Sequence, residues 1–414
     1  MIRILFKQIW NERKTNTWLW AELLLVFVAL WVVVDWTYVN VHTWVQPLGF
    51  DIEDTYLVQI SVKTADNPTF RPDGERMTGQ DAVDIVERLR REPEVEAVGY
   101  GLNAFPYNGS NSFSQLAQDS VRWSVHVRNV SPDFFRIFRY ENIDGSGYQS
   151  LVEALEEDKL IVSENLWPER YPDGKNLLGQ GFYVGGDTTQ LYSVAAVTRQ
   201  VRYDDFSIGD TYFLRLFPES NLASLPASQM SFIEFYLRVK AGTPAGYAKR
   251  LLRESPRINV GNCYIESVRS FDDIRESYML GRINALKNRV FIMAFLLVNI
   301  FLGVIGTFWY RTQQRRGELG LRMALGSSRR QLYNNLIGEG LLLLGLSALP
   351  ALLICFNIGY ADLVGAWQME WGGSRFVIGT SLTLLLMALM IIGAIAYPAS
   401  QAMKTQPADA LHDE

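Results

Sequence analysis

The chain has 414 residues, 48% of them hydrophobic, and a formal net charge of −5. The charge is uneven: residues 43–285 carry 25 Lys+Arg against 34 Asp+Glu, and the remainder carries 14 against 10. An acidic water-facing block between apolar stretches with basic flanks excludes an ordinary one-compartment soluble enzyme, and its sign argues against a nucleic-acid binder.

In chain order, residues 1–17 come first. Ile2, Leu5, Phe6, Ile9 and Trp10 follow the i, i+3, i+4, i+7, i+8 spacing, with Lys7, Arg13 and Lys14 mostly elsewhere. This predicts an amphipathic helix lying in the inner membrane surface; the alternative is an extended first membrane helix. Trp18 to Tyr38 is an apolar run of 21 residues carrying Glu22 and Asp35. About 20 such residues are needed to span the hydrocarbon core. A cleaved signal peptide would end in small residues, whereas this run ends in Trp36-Thr37-Tyr38-Val39. Glu22 and Asp35 are about 220° apart around a helix, which argues against a paired proton relay. Hydrated flanks or helix–helix contacts account for them more simply.

Residues 43–270 are long enough for a core of their own, in two lobes. Tyr56 to Val62 reads as a strand. Gly79 to Arg91 reads as a helix with Ala82, Val83, Ile85, Val86 and Leu89 inward, and Thr78 as its N-cap. Val95-Glu96-Ala97-Val98 begins the next strand, completing a β-α-β unit. Further strands are expected at 121–127, 160–162, 192–197 and 232–239, and a helix at 244–254. The class is α+β. Phe271 to Lys287 reads as a helix running directly into the next apolar run, a stalk rather than a loose linker.

Catalytic chemistry finds no motif here. There is no HExxH, no GxSxG elbow and no cluster with metal-ligand spacing. The block holds His126 on a predicted strand face, with His42 at the membrane edge. Cys263 lies in the block and Cys355 in an apolar run, so no disulfide is expected between them.

Three more apolar runs follow. Val290 to Phe308 has 19 residues and Phe376 to Tyr397 has 22, both without charge, while Leu341 to Ile358 has 18, just after Glu339. Pro350 is expected to kink the third. The divisions are then 1–17 interfacial helix, 18–42 first span, 43–270 outer domain, 271–289 stalk, 290–310 second span and 311–335 loop. The third span (336–358), an outer loop (359–375), the fourth span (376–397) and a tail (398–414) complete them. Arg311, Arg315, Arg316, Arg322, Arg329 and Arg330 crowd the 311–335 loop, whereas Arg375 is the only basic residue between the last two spans. By the positive-inside rule both termini and the basic loop are cytoplasmic, and residues 43–285 face outward, toward the periplasm or exterior in a bacterium.

The basic loop also carries a motif. Arg315-Arg316-Gly317-Glu318-Leu319-Gly320-Leu321-Arg322-Met323-Ala324-Leu325-Gly326-Ser327-Ser328-Arg329-Arg330-Gln331 is similar to the RRxEIGxRxAxGAxRxxI stretch of the MacB/FtsX superfamily of ABC transporter permeases. Val130-Ser131-Pro132-Asp133-Phe134-Phe135, Ile161 to Leu166 with Leu177 to Gly181, and the tail from Pro398 to Leu411 resemble other segments of that family. Two departures stand out, Gln180 for the usual Lys and Trp167-Pro168 where the family continues a helix.

Read physically, Leu321, Ala324 and Leu325 would share one helix face, Gly326-Ser327-Ser328 would stop that helix and cap the next, and the arginines could serve only topology and anionic lipid. The resemblance implies a membrane protein with four transmembrane helices and a large α+β extracytoplasmic domain between the first two. It implies docking of a cytoplasmic ABC ATPase on the loop, with Glu318, Gly320, Arg322, Ala324, Leu325, Gly326 and Arg329 as docking candidates. The chain has no GxxxxGK[ST]. ATP and magnesium are therefore expected on a separate ATPase, in two copies by the family pattern, serving a permease dimer with a second copy or paralogue in a bacterial inner membrane. The expected function is ATP-driven movement of the outer domain for export, efflux or lipoprotein extraction, with a periplasmic adaptor as a possible partner. The alternative is an FtsX-like relay to an outer partner such as a cell-wall hydrolase.

Overall fold

The computed structural model describes residues 13–74, 76–109, 111–314, 317, 321–323 and 325–402. The chain divides into two units, Gln46–Arg282 and the combination of Met1–Val45 with Ile283–Glu414. Among the described residues the helices are α1 (Arg13–Val45), α2 (Thr78–Arg90), α3 (Asp133–Phe138), α4 (Tyr148–Ala154), α5 (Glu219–Ala223), α6 (Tyr247–Glu254), α7 (Phe271–Gln314), α8 (Arg329–Tyr360) and α9 (Gly373–Ala402). The strands are β1 (Thr55–Val62), β2 (Val95–Leu102), β3 (Phe113–Gln118), β4 (Val121–Val130), β5 (Lys159–Ser163), β6 (Gly181–Val184), β7 (Leu191–Thr198), β8 (Tyr212–Leu216), β9 (Glu234–Val239) and β10 (Cys263–Ser270).

In Gln46–Arg282 the strands hydrogen-bond in the order β10-β1-β9-β2-β4-β3-β6-β7-β5-β8, and β4 also pairs with β8. The last six strands therefore return on themselves as a closed ring, which leaves no free edge within it. The first four form a second lobe. There Val58 and Ile60 of β1 face Ile85, Val86 and Leu89 of α2 in one apolar core. The period-2 and period-3.6 patterns meet across that layer. The expected β-α-β unit is split: β9 lies between β1 and β2 and is antiparallel to both. Sequence neighbours are thus joined by a strand from more than 130 positions further along.

Thr78 is not the N-cap of α2 but its first residue. Its backbone N–H and its hydroxyl both donate to Asp73 Oδ1, at 2.8 and 2.6 Å, so a carboxylate outside the helix does the capping. The segment around Trp167-Pro168 forms turns, followed only by a short 3₁₀ stretch at Lys175–Leu177. Cys263 and Cys355 are both free and buried.

Glu234, at the start of β9, fastens the loop after β2. It accepts hydrogen bonds from the Ala104 N–H at 2.9 Å and the Asn108 side-chain amide at 3.2 Å. Burial pushes its carboxyl up to about 7, against the pull of the surrounding N–H donors. The folded chain therefore holds this proton more tightly than the unfolded chain does. Its contribution to stability is full below pH 4.5 and is lost as pH rises from there to about 7. The Glu234→Gln variant is expected to lack this part of the slope; thermal unfolding of both proteins across that pH range checks it.

In the other unit, α1, α8 and α9 pack around Leu23, Phe27, Trp31, Leu343, Ala351 and Ile391. Val304 and Phe308 of α7 join that core. Each of the four helices is long and apolar enough to cross a membrane. Only 6% of the apolar window of α7 is buried, against 39%, 33% and 28% in the other three, so α7 is the least enclosed. Residues 13–17 form the start of α1 rather than part of a separate helix, and residues 1–12 lie outside the described residues. α7 runs without a break through the stalk and second-span divisions, and α8 runs through Pro350.

The charges in the first span make helix contacts. The Thr307 hydroxyl of α7 donates to both oxygens of Glu22, at 3.2 and 3.1 Å. Asp35 is fully buried against Arg375 at the start of α9, with Nε–Oδ1 at 3.0 Å and Nη2–Oδ2 at 2.6 Å. Arg375 also donates to the Met369 carbonyl at 2.6 Å and lies 5.5 Å from the Trp371 ring centre. A residue read as an outer-loop charge is thus the buried partner of the first span. Removing one member strands the other in a low-dielectric interior. Arg375→Met is expected to lower stability by roughly 3–5 kcal/mol, and Asp35→Leu with Arg375→Met by less. Thermal denaturation of the unaltered chain and the two variants in one detergent measures this.

Candidate functional site

The segment between α7 and α8 holds the docking candidates. Glu318, Gly320 and Ala324 lie outside the described residues. Residues 321–323 are helical, and the turn that follows is closed by backbone bonds from Ser327 N–H to the Arg322 carbonyl and from Gly326 N–H to the Met323 carbonyl, both 3.0 Å. This is the Schellman pattern of a helix end, and it needs a left-handed residue. Gly326 supplies it with φ +99°. Ser328 then caps α8, its hydroxyl accepting from the Gln331 N–H at 3.3 Å. Stop and start signals sit two residues apart, so the chain turns sharply.

The turn is fastened by packing. Met323 and Leu336 both pack against buried Leu332 of α8. Leu321 and Leu325 are instead exposed, Leu325 by 79%, and so are Arg329 and Arg330. Two exposed leucines and two exposed arginines therefore flank or lie on this turn. Arg322 is partly buried and engaged within the chain. The structure thus places Leu325 and Gly326 on an exposed turn and Arg329 at the exposed start of α8, with Arg322 partly buried. The sequence pattern missed Met323, whose place opposite Leu332 depends on how the turn folds back.

In Gln46–Arg282 an open cleft of about 460 Å³ lies over β1, lined by Leu57, Gln59, Ser61, Phe105, Glu234 and Tyr264 among others. Glu234 is occupied in holding the loop, and no nucleophile–base pair is described there. His126 packs on Phe113, ring centres 4.2 Å apart, and burial lowers its pKa. Among the described residues no group of His, Cys, Asp and Glu is placed to hold a metal ion.

Residues 290–407 match the FtsX-like permease C-terminal family. The macrolide export ATP-binding/permease protein MacB of Vibrio parahaemolyticus is 22% identical over 380 residues, covering 88% of this chain and 54% of that protein. MacB of Shewanella oneidensis is 22% identical over 329 residues, covering 76% and 48%. The chain thus spans about half the length of these curated relatives. Among solved structures, the periplasmic region of MacB from Actinobacillus actinomycetemcomitans aligns with a TM-score of 0.31 and 10% identity, over 56% of this chain and 96% of that one. The extracellular domain of the ABC-type transporter YknZ aligns with a TM-score of 0.28 and 10% identity, over 51% and 100%. Residues 290–407 are thus similar to an FtsX-like permease domain, and the chain as a whole is similar to about half of MacB, with four helices among the described residues long and apolar enough to cross a membrane.

Proposed function

We propose that the chain is the permease subunit of an ABC transporter in a bacterial inner membrane, and that it converts ATP hydrolysis on a cytoplasmic ATPase into movement of residues 46–282 outside the membrane. The observation that carries this reading is α7. It is one helix of 44 residues, beginning where β10 ends and finishing just before the basic turn. At 1.5 Å per residue it is about 66 Å long, roughly twice the hydrocarbon thickness. A displacement at one end of such a rod is delivered to the other without an aqueous path through the bilayer.

In this reading Leu325, Gly326 and Arg329 form the accessible part of the docking segment, and Glu318, Gly320, Arg322 and Ala324 are its other candidates in the sequence. ATP and magnesium belong to the ATPase, since this chain has no phosphate-cradling GxxxxGK[ST]. Two permease copies would serve two ATPase copies. The basic turn and both termini are cytoplasmic on the positive-inside rule. The size of the outer unit favours export, efflux or extraction of a substrate over a signalling relay.

The test is affinity purification of the full chain with its ATPase in mild detergent. Leu325→Glu with Arg329→Glu places acid where the segment is apolar and basic. It is expected to weaken ATPase association at least about tenfold, or ~1.4 kcal/mol, with the chain's own unfolding temperature unchanged. Undiminished association of this variant would reject the docking turn.

A further inference from the structure

Loops normally run over the surface, because their backbone polar groups need water. Residues 201–206 break that rule: Val201, Arg202, Tyr203, Asp204, Asp205 and Phe206 are all buried, yet none lies in a helix or extended strand. The loop is closed on itself by a bridge between Arg202 and Gly209 and by the Asp210 N–H on the Val201 carbonyl at 3.2 Å. Ser207 Oγ accepts from the N–H groups of Tyr203 and Asp204, both at 3.0 Å. The loop is therefore braced internally before it touches anything else.

It touches both ends of its unit. At the incoming end, Arg202 donates from its backbone N–H to the Leu48 carbonyl at 2.9 Å and from its side chain to the Gln46 carbonyl at 2.8 Å. Gly49, at φ +82°, lies so close that a Cβ there would be 2.4 Å from the Gln200 carbonyl oxygen. At the outgoing end, Asp205 grips Arg275 of α7 in a two-pronged ion pair, one prong Nε–Oδ2 at 3.0 Å. Burial within this grip is uneven, since the Asp205 side chain is 7% exposed and that of Arg275 is 40%. Arg282 stands 5.3 Å from the Phe206 ring centre and donates to the Phe206 carbonyl at 3.2 Å. The Tyr203 and Tyr278 rings meet at 6.1 Å. A second brace runs in parallel: the Phe138 carbonyl accepts from the Asp51 N–H at 2.9 Å, and its ring meets Phe271 at 5.2 Å.

We infer that residues 199–210 are a cross-tie that locks the incoming segment 46–51 to residues 271–282 of α7, so that the two connections of the outer unit move as one body. This rests on the proposed permease function, in which α7 carries motion. A rod acting alone would tilt the unit against its other attachment. A tied pair transmits translation and twist together. Charge-assisted, two-pronged pairs suit such a tie, because they fix orientation as well as distance.

The test uses the full chain with its ATPase in lipid nanodiscs, with spin labels at Pro47→Cys and Leu280→Cys. Both sites are exposed, while the native thiols of Cys263 and Cys355 are both buried and do not compete. The label separation is expected to be narrow and identical with and without ATP. It is expected to broaden in Arg275→Gln/Arg282→Gln, whose altered side chains lie on the helix surface; Arg282→Gln alone serves if the pair fails to fold. A separation that shifts with ATP in the unaltered tie, or stays narrow in the folded variants, overturns the cross-tie. A second measurement, the distance between Leu280→Cys labels on two copies, reports the permease reading separately. If that distance ignores ATP while the tie variants still broaden, the transport reading fails and the cross-tie stands.

Discussion

A helix satisfies its own backbone, and this constraint organises the molecule. Only a continuous hydrogen-bonded ladder can pass from water into hydrocarbon without stranding N–H and C=O groups. α7 exploits it over 44 residues, starting as a partner of the outer core through Phe271 and Ile274 and ending with Phe308 and Thr312 buried. Its middle is the least enclosed of the apolar helices.

The polar residues of the apolar helices fit a different logic. Several are paired across helices or returned to their own backbone: Glu22 with Thr307, Asp35 with Arg375, Thr383 with the Gly379 carbonyl. The Asp35–Arg375 pair joins residues 340 positions apart and orients α1 against α9. Such pairs specify an arrangement more than they stabilise it, because desolvation offsets most of the Coulomb gain.

Much of this was legible in the sequence where the physics is local. Apolar run length located the four long helices, and short apolar or alternating runs located β1, β2, β4, β5, β7 and β9. Gly326 and Ser328 announced a stop and a start that the turn obeys. What failed was non-local. Nothing near Thr78 says that Asp73 takes the capping role, and nothing in β1 or β2 says that β9 inserts between them. Arg375 reads as a loop charge because its partner lies in the first span. The buried loop at 201–206 left one trace, a mixed run of aromatic and charged residues between strands. The docking candidates came from the resemblance of the basic loop to a family motif, and the partial burial of Arg322 depends on packing that such a motif does not encode.

The sheet order has a consequence for how the protein is made. β1, the first strand of the outer unit, pairs with β10, the last, and with β9. Its lobe cannot close its core until about 215 residues after Thr55 have been delivered to the same compartment, since Ser270 pairs with Tyr56. Pairing over such separations is slow. α7 begins at the very next residue, Phe271. Completion of the outer core and integration of the second membrane helix therefore become adjacent events in biosynthesis, and a delay in one exposes the unpaired edge of β1 to the other.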